Sequence, residues 1–315
     1  MSHTDGYTRR QILTLAAGAS AVLTFDPAFA GSAPPKETGG KNMLTRAIPS
    51  SNEPLPMVGL GTYRGFDVAP ADPAYKQLPA VLSALFEKGG TVIDSSPMYG
   101  RAEQTTGELL SIHQPRSPAF LATKVWTRGR EEGIAQMEQS FKWLQTDRID
   151  LMQIHNLVDW RAHLPTLRAW KDEGRIRYLG ITHYTQSAHD ELESVMRAEK
   201  WDFVQINYAL DDRAVERKLL PLATERGIAV IVNQPFGGGG LLRGLRDKPL
   251  PAWAADIGAT SWAQVLLKFT LSHPAVTCVI PGTSRPEHMA DNARAGSGPA
   301  PDAAFWRRHA ASVRG

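Results

Sequence analysis

The chain has 315 residues, 42% of them apolar and 21% charged, which allows two domains or one large barrel and excludes disorder over most of the length. Its 35 basic and 32 acidic side chains are interspersed and leave a net charge of +3, so no basic tract points to nucleic acid. With Cys278 as the single cysteine, an internal disulfide and any zinc site built on cysteine pairs are excluded.

At the N-terminus, Arg9 and Arg10 precede an apolar stretch at 13–23, and Ala28-Phe29-Ala30 stands before Gly31. Paired arginines, a short apolar segment and a small-x-small site describe a twin-arginine export signal over residues 1–30, cleaved near Ala30. A periplasmic protein handled by the twin-arginine export machinery is the expectation. The apolar stretch falls short of the about 20 residues that cross a bilayer, so the mature protein is expected to have no stable membrane span. Residues 31–42, rich in Gly, Pro, Ser and Lys, read as a flexible spacer, and 43–315 as a single domain.

Residues 44–48 and 55–58 flank a polar turn at 49–54 and predict a β-hairpin. Short apolar runs at 58–60, 92–94, 120–122, 151–154, 177–181, 203–206, 228–232 and 276–280 follow as candidate strands. Most lack polar alternation, as strands of a buried parallel sheet do. Helical spacing appears between them, at 78–88, 131–144, 164–173 and 215–226. Gly89, Gly174 and Gly227 follow three of these, where a left-handed cap favours a residue without Cβ. Eight βα units predict an α/β protein, a closed (β/α)8 TIM barrel. The hairpin would plug its N-terminal mouth, and the tail with Phe305 and Trp306 would add a C-terminal helix. A Rossmann domain would show G-x-G-x-x-G after an early strand, and none occurs there.

At successive strand ends stand Asp94, Lys124 and His155, with Tyr99 in the loop after Asp94. In a barrel they converge on one rim, and an acid, an amine, a phenol and an imidazole around one pocket suit proton transfer to a carbonyl oxygen. Tyrosine ordinarily ionises near about 10, so its use as an acid calls for a neighbour that stabilises the phenolate. Lys124 can do that, with Asp94 holding it. A glycosidase would need two facing carboxylates and a metal hydrolase a histidine cluster; neither pattern is evident.

Residues Val92-Ile93-Asp94-Ser95-Ser96-Pro97-Met98-Tyr99-Gly100, Ala122-Thr123-Lys124 and Asp150-Leu151-Met152-Gln153-Ile154-His155 resemble, in order and spacing, three signature regions of the aldo-keto reductase family. Gly59-Leu60-Gly61-Thr62, Val204-Gln205-Ile206-Asn207-Tyr208 and Ile280-Pro281-Gly282-Thr283-Ser284 extend the likeness, which covers about residues 43–293. It implies a metal-free oxidoreductase that reduces an aldehyde or ketone to an alcohol with NADP(H), leaving NAD(H) open. Tyr99 would be the general acid, Lys124 would lower its pKa, Asp94 would hold Lys124, and His155 would orient the carbonyl.

The resemblance also implies a cofactor site. Gly61, Thr62, Tyr63 and Asp94 would approach the cofactor first, and Thr182, His183 and Gln205 match carboxamide positions. Asn233, Pro235, Phe236, Gly237 and Leu241 match the end of the seventh strand and a loop that covers the pyrophosphate. Thr283, Ser284, Arg285, His288 and Asn292 match the adenosine and 2′-phosphate site. Gly282 and His288 stand where the pattern usually has basic residues, which weakens the preference for NADP. His183 stands in place of an Asn, and Asn233 in place of an aromatic ring that stacks on the nicotinamide. Substrate selection would fall to Tyr63, Trp126, Phe66 and Trp160. An alternative function is a non-catalytic or slowly turning nicotinamide-binding module, exported with its cofactor bound.

Overall fold

The computed structural model describes residues 36–37, 43–112 and 119–314. The expected export signal and the spacer, apart from Lys36–Glu37, lie outside the described residues. Lys36–Glu37 pairs antiparallel with Thr45 and Leu44. The hairpin, Leu44–Ala47 against Pro54–Pro56, thus carries a third strand that the sequence reading assigned to the spacer.

Eight parallel strands follow: β1 (Leu60–Gly61), β2 (Val92–Asp94), β3 (Phe120–Val125), β4 (Ile149–His155), β5 (Ile176–His183), β6 (Phe203–Asn207), β7 (Ala229–Asn233) and β8 (Val276–Val279). They pair in chain order, and bridges from Val58 to Val279 and from Gly61 to Gly282 join the two ends into a barrel. Helices α1 (Leu78–Glu87), α2 (Ala102–Ile112), α3 (Arg130–Trp143), α4 (Trp160–Asp172), α5 (His189–Ala198) and α6 (Leu219–Arg226) each follow one strand. The short α7 (Gly240–Leu245) and α8 (Trp262–Ser272) follow β7, α9 (Pro286–Arg294) follows β8, and α10 (Ala303–Arg314) ends the described chain. This is the expected (β/α)8 barrel with its hairpin and C-terminal helix.

Two helices differ from the sequence reading. The stretch expected as one helix at 215–226 is a 3-10 turn, Ala214–Arg217, followed by α6. Pro221 explains the break, since its ring would clash with the Arg217 carbonyl in a continuous helix. Conversely, α4 starts at Trp160 rather than at 164 and carries Pro165 inside, with Trp160 and His163 buried along the extra turn. The glycines read as helix caps adopt φ of 89° at Gly89, 75° at Gly174 and 63° at Gly227.

Strand side chains alternate between two faces, and one face of each strand turns into the barrel. That inward set grades from apolar to polar along the strand direction. Phe120, Ala122 and then Lys124 face in from β3; Leu151, Gln153 and His155 from β4; Phe203 and Gln205 from β6. The lower members form a closed apolar layer with Val92, Tyr178 and Ile231, and Ile48 and Leu55 of the hairpin complete it from below. The opposite faces, among them Leu121, Met152, Leu179 and Val204, pack under the helices. Gly180 gives the layer room, because a Cβ there would stand 3.1 Å from the Phe203 Cβ and 3.2 Å from the Gln153 Cγ.

Polar contacts fasten the plug. Glu53 in the hairpin turn accepts from the Tyr178 hydroxyl at 2.6 Å and pairs with Arg177, which also binds Asp150 at 2.7 Å. Arg46 donates to the carbonyls of Leu271 and His273, both at 2.8 Å, and of Val276, so one guanidinium caps the end of α8. Leaving partly buried carbonyls without donors costs roughly 1–3 kcal/mol each. Arg46→Met is therefore expected to lower stability by about 3 kcal/mol while leaving turnover at the opposite rim unchanged. Thermal unfolding and steady-state assays check this, and an unaltered Tm would contradict the capping role.

Candidate active site

The polar upper ends of the inward faces meet at one place. Asp94 ends β2 and Lys124 lies on β3, two residues beyond Ala122, its pairing neighbour in register. Lys124 is 0% exposed and Asp94 2%. The ammonium donates to Asp94 Oδ2 at 2.6 Å and to the Ser95 carbonyl at 2.6 Å. It lies 5.2 Å from the centre of the Tyr99 ring. The other Asp94 oxygen accepts from Gln205 at 2.8 Å and from Gln153 at 3.1 Å. Three groups, one each from β3, β4 and β6, thus converge on this carboxylate.

Charges in this cluster are arranged by burial first. Burial opposes the Lys124 ammonium, yet Asp94, Tyr99 and Glu103 outweigh it and hold Lys124 above the usual lysine range. For Tyr99, burial is the largest influence and raises the phenol above its ordinary range; Asp94 pushes the same way and Lys124 the opposite way. The sequence reading expected Lys124 to set the direction, and burial overrides it. Burial, then Lys124 and His183, push His155 down to about 3, so the imidazole is neutral at neutral pH. Its Nδ1 lies 3.5 Å from Ser96 Oγ, and its ring stands edge-on to Tyr99 with centres 6.3 Å apart.

A groove of about 840 Å³ opens from this cluster across the C-terminal rim. Of the sequence-predicted residues, Gly61, Tyr63, Asp94, Tyr99, His155, Gln205, Asn233, Pro235, Phe236, Thr283, His288 and Asn292 line it. Lys124 sits behind that wall. Thr62 is buried, donating to the Asp94 carbonyl and to Ser95 Oγ, both at 3.0 Å. Thr182 is buried beside Gln205 in register, while His183 takes the opposite face, its Nδ1 accepting from the Thr185 amide at 3.2 Å. Gly237, Leu241, Ser284 and Arg285 flank the groove in sequence without lining it. Trp126, 41% exposed, stands outside the groove wall with its ring 6.3 Å from His155, and Tyr63, 54% exposed, lies 5.0 Å from Tyr99.

Two substrate-wall expectations are corrected. Phe66 is fully buried in the core, and Trp160 is buried against Trp201 with ring centres 6.4 Å apart, so neither faces the groove. Sequence reasoning missed Arg64 and Tyr184 on the groove, and Arg243 of α7 with Arg246 just after it. It assigned no role to Gln153 or Glu103, although both lie in the quoted or adjoining motif.

The groove suits an elongated polyanion with a polar ring at its deep end. Gly237, Gly238 and Gly239 take φ of 57°, 60° and 88°, a path other residues rarely adopt, and a Cβ on Gly238 would meet nothing within 4 Å. Bare backbone and the cations Arg243 and Arg246 therefore border the outer groove. At the inner end the buried Asn233 Oδ1 has no hydrogen-bond partner, an acceptor open to a ligand donor.

The aldo/keto reductase family model matches residues 57–309. Methylglyoxal reductase YeaE of Escherichia coli (strain K12) is 32% identical over 252 residues, covering 78% of this chain and 86% of that protein. A crystal structure of an aldo/keto reductase from Klebsiella pneumoniae in complex with NADP and acetate is similar at a TM-score of 0.71 and 25% identity, over 87% of this chain and 94% of the other. A second Klebsiella pneumoniae aldo-keto reductase, in complex with NADPH, gives a TM-score of 0.66 at 26% identity, over 78% and 87%. On the family match and this coverage, the chain belongs to the aldo/keto reductase family.

Proposed function

We propose that the chain is an NADP(H)-dependent carbonyl reductase with Tyr99 as its general acid. The observation that carries this reading is the enclosed ammonium of Lys124, fixed between Asp94 and Tyr99 at the floor of the groove. Bound along the groove, NADPH supplies the hydride. Gln205 and Asn233 would hold its carboxamide, the glycine loop with Arg243 and Arg246 its phosphates, and His288 and Asn292 its adenosine end. The solved Klebsiella relatives bind NADP and NADPH, which supports this choice of cofactor.

The remaining steps belong to the chain's own side chains. Tyr99, its phenol kept protonated by burial, donates a proton to the carbonyl oxygen as negative charge develops there. Lys124 lies beside the phenolate that results and stabilises it. A neutral His155 cannot be the acid, but its ring N–H donates a hydrogen bond that orients the carbonyl. Tyr63, Tyr184 and Met98 border the substrate end, with Trp126 beside His155 just outside the wall, and their exposure suits small carbonyl compounds of varied shape. A methylglyoxal reductase among the relatives is consistent with that class. The signal read from residues 1–30 extends the proposal: the chain folds with its cofactor in the cytoplasm and carries it to the periplasm.

Three measurements test this reading. Tyr99→Phe is expected to lose about 10²- to 10⁴-fold in kcat for aldehyde-dependent NADPH oxidation while still binding NADPH; equal turnover would reject the assignment, and wild-type protein that binds but never turns over would favour a binding module. Since His155 stays neutral down to about 3, the reductive kcat should show no acid limb at the ordinary histidine pKa, about 6.5. A limb there that vanishes in His155→Gln would make the imidazolium the donor instead. Finally, protein isolated from the periplasm and denatured should release nicotinamide nucleotide into the supernatant, and an empty preparation would end the cofactor-loading proposal.

A further inference from the structure

Behind the catalytic cluster lies a carboxyl group that the reaction does not use. Glu103, the second residue of α2, is 1% exposed and stands four positions after Tyr99. Its Oε1 accepts from the hydroxyl of Thr123, the residue next to Lys124 on β3. Neighbouring side chains on a strand point to opposite faces, so Lys124 projects into the pocket while Thr123 projects back towards α2. A single hydrogen bond therefore joins the helix entered from the Tyr99 loop to the strand that carries the ammonium. The short segment between them is itself tight: the Ala102 amide donates to the Tyr99 carbonyl at 3.1 Å, and the Arg101 amide to Asp67 Oδ1 at 2.8 Å.

Geometry makes this link matter. An ammonium has three hydrogens, and Lys124 gives one each to Asp94 and the Ser95 carbonyl, both anchored at the end of β2. The third is left for the phenol of Tyr99, which is carried on a loop rather than on a strand with its ring centre 5.2 Å from the ammonium, so their separation depends on what fixes that loop against β3. We infer that Glu103 is a positioning residue: through Thr123 it sets the distance between Tyr99 and Lys124. The inference rests on the carbonyl-reductase reading, in which that contact stabilises the phenolate. Burial also lifts the Glu103 carboxyl to about 7, against the opposing pull of Thr123, Ser140 and Lys124, so the group holds its place as an acceptor in either protonation state.

The test compares Glu103→Ala, Glu103→Gln, Thr123→Val and the Glu103→Ala/Thr123→Val double variant, each first checked for a cooperative thermal transition. Losing the link should lower kcat about five- to tenfold in Glu103→Ala and in Thr123→Val. KM and Kd for NADPH should stay unchanged, and the alkaline limb of kcat should move to higher pH as the phenolate loses support. Glu103→Gln keeps the amide oxygen as acceptor and should retain kcat within about twofold. The double variant should be no worse than either single one, since both remove the same contact. If Tm falls while kcat and its pH profile match wild type, or if Glu103→Gln is as impaired as Glu103→Ala, the positioning role is overturned. Wild-type turnover and Tyr99→Phe run in parallel separate this outcome from failure of the reductase reading itself.

Discussion

An ammonium group with no exposed surface sets the terms for everything around it. Removing such an ion from water costs several kcal/mol, offset only where close partners of opposite charge and further acceptors replace the lost hydration. Lys124 meets that condition through Asp94 and the Ser95 carbonyl, with the Tyr99 ring beside them, and each of these needs a particular neighbour. Asp94 must face Ala122 across the sheet for Lys124 to rise past it, which fixes the register of β2 on β3. Gln153 and Gln205 then hold the second carboxylate oxygen, and through them β4 and β6 are tied to the same point. The pair is thus a shared constraint on four strands, more than a local ion pair.

The gradient inside the barrel makes that constraint tolerable. Phe120, Tyr178 and Phe203 fill the lower layer, with Tyr178 and Phe203 edge-on and their ring centres 5.4 Å apart, and the hairpin closes it from beneath. Water is kept out from that side, so the polar layer above opens only toward the groove. Groups carried on strands hold their positions more firmly than groups on loops, which is why the phenol, on a loop, calls for additional fastening.

The fold was legible because its strands are short apolar runs with regular helical spacing between them, a signal that needs no knowledge of distant contacts. The convergence of Asp94, Tyr99, Lys124 and His155 followed from placing each near its strand end. Other features depend on where a chain segment travels after it leaves the rim. Arg243 and Arg246 reach the groove because three glycines with positive φ bend the loop before α7, a path that composition alone does not encode. Phe66 is an aromatic residue near the rim whose direction only packing decides. Trp160 is different, since its spacing of four and seven to Leu164 and Leu167 continues the helical stripe of α4, a core signal that placing it on the substrate wall passes over. Glu103 was overlooked because an acidic residue in a first helical turn reads as solvated unless the hydroxyl opposite it is known.

The barrel's ends meet differently from its other strands. β1 has only two residues, and isolated bridges alone connect it to β8. At this seam the chain approaches itself closely: a Cβ on Gly61 would stand 2.9 Å from the Ile280 carbonyl. Gly61 and Gly282, one from each side, both border the groove. A long molecule lying there would therefore act as a clasp across the join, and occupancy of the groove and integrity of the cylinder become two readings of one equilibrium.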